Sequence, residues 1–140
     1  MFMNRCIFLI LIVFCVSCSK IGEAPERTFD ISKESIDLSV ELLGNWQRVC
    51  IITPYSNNQY AEEILGFKFD VENNSSILSS DGITLLITVK DNEVVEYFEV
   101  PRNNLDFSSL KTGKSRCYIK GNAKFKIIEG KAGWHSAQQA

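Results

Sequence analysis

The stretch from Ile83 to Val100 constrains this chain most. Ile83-Thr84-Leu85-Leu86-Ile87-Thr88-Val89 is an apolar, β-branched run, and Val94-Val95-Glu96-Tyr97-Phe98-Glu99-Val100 is a second. Between them, Lys90-Asp91-Asn92-Glu93 is a run of polar turn formers. Such side chains pack best on a pleated surface, so the pair reads as a hairpin whose first strand is central in a sheet.

The rest of the chain repeats this grammar. Ile36, Leu38, Val40 and Leu42 alternate with Asp37, Ser39 and Glu41, the period of a half-buried strand. Gly44 interrupts it, and Trp46 to Ile52 is a second apolar stretch that ends at Thr53-Pro54. Phe67, Phe69 and Val71 predict a strand over 66–71, and Lys114–Lys120 with Ala123–Ile128 predicts a second hairpin about Lys120-Gly121-Asn122. Only Ser56–Leu65 reads as a helix. With 140 residues there is room for one domain. The expected fold is mainly β: a small antiparallel β-sandwich or barrel of about seven strands over 36–129, with at most one short helix. Residues 130–140 lack an apolar period and are expected to form a flexible tail, in which Trp134 has the best chance of docking.

The N-terminus carries a different signal. Met1-Phe2-Met3-Asn4-Arg5 precedes the uncharged run Cys6–Val16, which at about eleven residues is short for a membrane span of roughly 20 and suited to a signal-peptide core. Ser17 and Ser19 flank Cys18. This arrangement resembles the export signal of bacterial lipoproteins, although Cys15 stands where that family usually has Leu. The resemblance implies removal of 1–17, lipidation of Cys18, and a tether over 18–35 leading to the β domain. Ser19 is not the Asp associated with inner-membrane retention, so it further implies an outer-membrane anchor facing the periplasm. With Cys6 and Cys15 removed and Cys18 acylated, Cys50 and Cys117 are left. An even remainder in an oxidising compartment reads as one disulfide, the alternative being two buried thiols.

Composition narrows the function classes. The 15 basic and 17 acidic side chains lack the basic excess that a nucleic-acid binder uses to neutralise phosphates. The only histidine is His135, in the expected tail, and no Cys or His stands at metal-ligand spacing from Cys50 or Cys117, so neither metal nor cofactor is expected. Asp and Glu fall at turns and on alternating strand positions, and a disulfide removes the thiolate nucleophile, so the chain is expected not to be an enzyme. Thr112-Gly113-Lys114-Ser115 lacks the earlier glycine of a phosphate loop, since Ser108 occupies that position, and reads as a turn. Gly44-Asn45-Trp46 resembles the Gly-x-Trp element of lipocalins, which would imply a carrier of a small apolar ligand; a core Trp beside a strand break is the preferred reading.

Two surfaces stand out. Residues 21–106 hold 16 acidic and 6 basic side chains, whereas 107–131 hold Glu129 against Lys111, Lys114, Arg116, Lys120, Lys124, Lys126 and Lys131. If the last hairpin forms a sheet edge, Lys120, Lys124 and Lys126 offer a basic docking face, or merely protect that edge from aggregation. The loop Thr53–Tyr60 presents Tyr55 and Tyr60 among small polar residues, the side-chain chemistry of protein recognition. Val49-Cys50-Ile51 running into Pro54-Tyr55, behind the export signal, resembles small periplasmic lipoproteins proposed as immunity proteins against type VI secretion effectors. The expected function is therefore an anchored protein that binds and occludes another protein, a toxin or cell-wall hydrolase, with a lipocalin-like carrier as the alternative.

Overall fold

The computed structural model describes residues 24–110 and 115–140. Seven strands over these residues fall into two antiparallel sheets, as the patterning predicts. β2 (Arg48–Ile52), β3 (Ile83–Lys90), β4 (Glu93–Pro101) and β5 (Cys117–Ile119) make a four-stranded sheet in the order β4-β3-β2-β5. β1 (Ser35–Asp37), β6 (Lys124–Glu129) and β7 (His135–Gln139) make a three-stranded sheet in the order β1-β6-β7. Two open sheets make a sandwich; the closed barrel that a lipocalin-like carrier requires is not the arrangement formed.

The expected β3–β4 hairpin is present. Asp91 and Asn92 lie at φ 49° and 57°, the pair of left-handed residues that a tight two-residue hairpin turn demands. Thr84 to Val89 are all buried, so the central strand is covered on both faces. On one face Leu86 joins Val49, Ile51, Phe98 and Val100 against Ile36, Phe125 and Ala137 of the smaller sheet. Phe125 makes edge contacts there with Phe107 at 5.6 Å and Tyr118 at 5.0 Å between ring centres. On the other face Leu85, Ile87 and Val89 join Cys50 and Ile52 beneath Ala61, Leu65, Val71 and Ile77. Each large apolar side chain so buried contributes about 1.5–3 kcal/mol, so neither cover is dispensable. The molecule is thus a sandwich with a helical third layer.

Several boundaries differ from the sequence reading. Besides α2 (Asn58–Leu65), which falls within the expected helix, there are two single-turn helices, α1 (Leu38–Glu41) and α3 (Val71–Asn74). The alternation at 36–42 stops after three residues of β1: Asp37 accepts from the Ser39 amide at 3.0 Å, caps α1, and so buries both Leu38 and Leu42 one turn apart. A spacing of four residues satisfies a strand face and a helix face equally, and the cap decides. Residues 66–71 form no strand, because Gly66 at φ 81° ends α2 and Asp70 caps α3. The second expected hairpin is not one. A 3-10 turn at Lys120–Asn122 carries the chain from β5 in one sheet to β6 in the other.

The tether and the tail are also shorter than expected. Ala24 and Phe29 are buried, and Glu26 forms a parallel bridge with Glu99, so 24–35 belongs to the domain. The signal at 1–17, Cys18 and the rest of the tether to 23 lie outside the described residues. Within 130–140, β7 pairs with β6 from Glu129↔His135 to Phe125↔Gln139. Its sequence, His-Ser-Ala-Gln-Gln, buries only Ala137, too little apolar content for periodicity to reveal a strand. Trp134 stacks on Arg102 with 5.7 Å from guanidinium to ring centre.

Candidate functional site

Cys50 and Cys117 form the expected disulfide across a sequence separation of 67. They face each other on the neighbouring strands β2 and β5, rather than joining distant parts of the sheet. Beyond the end of this braced strand the chain turns at Thr53-Pro54 and presents Tyr55. The Tyr55 backbone sits at φ 62°, in the left-handed region, and its amide donates to the Ile77 carbonyl at 2.8 Å. For a bulky residue that conformation costs about 1–2 kcal/mol. The ring nevertheless gains no cover, with 63% of the residue exposed. Tyr60 lies five positions on, half-buried on α2.

The helical layer beside Tyr55 is locked by polar side chains. Asn57 caps α2 by accepting from the Tyr60 amide at 2.9 Å. Asn58 and Glu72 each accept the other's backbone amide on a side-chain oxygen, and Asn58 donates from Nδ2 to Asp70 at 3.1 Å. Hydrogen bonds from the side chains of Asn73 and Asn58, then from the Asn73 amide, hold the Asp70 carboxyl below its ordinary pKa. Asn58, Gln59, Glu62, Lys68, Phe69 and Asp70 line an open groove of about 460 Å³ on this layer. Glu62, Glu63, Asp70 and Glu72 against Lys68 make the layer acidic.

The basic residues do not assemble into a comparable face. β6 is central in its sheet, so Lys124 and Lys126 are not on an edge. Lys124 lies 3.9 Å from Asp37, and Lys126 stands between Ser35 and Gln138. Lys33 pairs with Glu41 at 3.7 Å. Folding therefore brings the acidic N-terminal segment against β6 and cancels much of the charge asymmetry of the sequence. Lys120 is elsewhere, its ammonium 3.0 Å from the Gly44 carbonyl and 4.9 Å from the Trp46 ring centre. Its amide donates to Gln47 at the start of β2, whereas Tyr55 follows the end of that strand. The tyrosine turn and Lys120 thus occupy opposite ends of the sheet. Lys111 and Lys114 lie outside the described residues.

A third surface escaped the sequence reading. Val40, Leu43 and Val95 are 70%, 82% and 45% exposed. A methyl group at Gly44 would lie 4.0 Å from Val95 Cγ1, so the α1 end and the bulged start of β4 are adjacent. Val40 was expected to face inward on a strand; the Asp37-x-Ser39 cap before it is the signal that turns it out. Trp46 is a buried core residue that donates from Nε1 to the Leu42 carbonyl at 2.9 Å.

The carboxyls that the fold shifts are all held toward the anion. Asp30 is lowered by hydrogen bonds from Ser32. At Asp106 burial opposes ionisation, but bonds from Arg102 and Ser108 outweigh it. Among the described residues no group of three His, Cys, Asp or Glu side chains is placed to hold a metal ion, and no helix is long and apolar enough to cross a membrane. Comparison of the chain with protein-family models, with curated proteins and with solved structures finds no match.

Proposed function

We propose that this chain is an envelope lipoprotein, anchored to the outer membrane through Cys18 and facing the periplasm, that binds and occludes another protein without catalysing a reaction. The surface assigned to that partner is the turn around Tyr55 with the adjoining face of α2, including Tyr60. The observation that carries the reading is Tyr55 itself. An exposed aromatic held in a costly backbone conformation, at the tip of a disulfide-braced strand, is an arrangement that folding alone does not select. A tyrosine whose backbone is already held, and whose side chain has two rotatable angles, loses little entropy when a partner buries it. The export signal and the immunity-lipoprotein resemblance point to a toxin or a cell-wall hydrolase as the partner.

The test compares Tyr55→Gly with the parent chain. Glycine relieves the left-handed strain, so the variant should unfold at higher denaturant, while capture of the envelope or secreted partner retained by the parent chain should be lost. A variant that is both less stable and still competent for capture would remove the basis of this reading.

A further inference from the structure

We propose that the cluster Val40, Leu43 and Val95 rests on the surface of a zwitterionic lipid bilayer, so that Tyr55 is presented away from the membrane. The inference builds on the reading of Cys18 as the lipidated residue. Residues 19–23 separate Cys18 from Ala24, which is already packed into the core. Six steps of chain reach at most roughly 20 Å, so the acyl chains hold Ala24 close to the headgroups. The position of Ala24 is set by main-chain bonds: Glu99 donates to the Pro25 carbonyl and Arg27 donates to the Glu99 carbonyl, both at 2.8 Å. Counting back along this parallel bridge places Ala24 level with Tyr97, about 7 Å along the strand from Val95. Arg27 also reaches the Glu41 carbonyl, which ties the entering segment to α1.

The exposed cluster therefore lies beside the point where the anchored chain enters the fold, at the end of the sheet opposite Tyr55. Apolar side chains on a surface helix turn and a bulged strand suit the boundary between headgroups and acyl chains. Three such side chains would not hold a soluble protein on a bilayer, but the anchor supplies a high local concentration, which makes a weak second contact effective. Glu41 pairs with Lys33, Glu93 stands opposite Lys90 in the hairpin register, and Lys120 donates to the Gly44 carbonyl, so acidic and basic side chains are mixed about the elements that carry the cluster. A rim of mixed charge gives anionic headgroups no electrostatic gain and suits a zwitterionic surface.

The test uses the full chain, purified from envelopes in detergent and reconstituted into phosphatidylcholine vesicles. An environment-sensitive fluorophore is placed on Leu43→Cys, on Val95→Cys and, as a control, on Glu63→Cys of α2. The expected result is a blue-shifted emission, quenched by spin-labelled lipid, at positions 43 and 95 and a water-like emission at 63. Adding anionic lipid should not strengthen the effect, and Leu43→Asp should abolish the response at 95. The mass of the N-terminal fragment is read on the same sample. Acylated protein with water-like probes at 43 and 95 overturns the membrane seat and leaves the anchor reading intact; an unacylated Cys18 overturns both. Probes that are shielded in vesicle-free protein of doubled mass would place a second copy on the cluster and also overturn the proposal.

Discussion

Asn58 and Glu72 hold each other's backbones: Glu72 Oε1 accepts from the Asn58 amide at 2.9 Å, and Asn58 Oδ1 accepts from the Glu72 amide at 3.1 Å. The exchange joins the first turn of α2 to the first turn of α3. It thereby fixes the helical layer that covers Cys50, Leu85 and Ile87, and the shape of the groove that Asn58 lines with Phe69 and Asp70.

Removing either partner leaves an amide without its acceptor. Asn58→Ala and Glu72→Ala should each destabilise the fold by about 1–2 kcal/mol, and the double variant should cost clearly less than the two together. Denaturant unfolding of the four proteins checks this, and additive losses would mean that the two bonds act independently.

The disulfide closes a long loop, so its loss should act chiefly through the unfolded chain. With a separation of 67 residues, Cys50→Ala/Cys117→Ala should lose about 4 kcal/mol in the entropic model. The comparison is equilibrium unfolding of the oxidised parent against the double variant. Because β5 is an edge strand of three residues paired only with β2, hydrogen exchange at Tyr118 and Lys120, whose amides face β2, should rise most.

Asp106 links stability to acid. Its folded pKa lies below the ordinary value of 3.8, since burial, which opposes ionisation, is outweighed by the bonds from Arg102 and Ser108. A depressed folded pKa means that the unfolded chain takes up the proton first. The associated stability is therefore complete above the unfolded pKa and is lost as pH falls through the folded one. Arg102→Ala should weaken the fold near neutral pH and flatten the acid limb of a stability profile measured from pH 6 to pH 2. An acid limb unchanged by the substitution would assign that limb to other groups.

Gly44 has φ 106°, outside the range that residues with a Cβ adopt readily, although the space around it would admit a methyl. Gly44→Ala should therefore cost about 1–2 kcal/mol through the backbone alone. Because the Gly44 carbonyl also accepts from Lys120, the variant should expose Trp46, which a red shift in its fluorescence would report.

Much of the fold was legible because it is written locally. The β3–β4 hairpin is clear from two β-branched runs about Asp91-Asn92, and α2 falls within Ser56–Leu65, the one segment that reads as a helix. Cys50 and Cys117 could be expected to pair because the resemblance to an export signal would account for the other three cysteines. The places where expectation and structure part share a cause. Leu38 and Leu42 fit two periods equally, β7 carries one buried side chain, and 66–71 has strand spacing but caps at both ends. In each, a pattern of few residues was outweighed by a cap or by pairing with a distant segment. Of the candidate surfaces, Tyr55 stood out by residue type, but its strained backbone did not. The cluster of Val40, Leu43 and Val95 had no sequence signature, since its members come from α1 with the residues just after it and from β4, segments distant in the chain.

The sequence by itself determined that strands dominate and where the main hairpin turns, because each rests on side-chain shape within a short window; it left the disulfide as an expectation beside two buried thiols, which the structure decides. Only the tertiary structure decided that β5 and β6 part into different sheets, that the acidic segment 30–41 lies against the lysines of β6, and that Tyr55 and Lys120 sit at opposite ends of the molecule. Those outcomes depend on which distant surfaces bury one another, a choice made by the summed packing of the whole chain and not by any stretch of it.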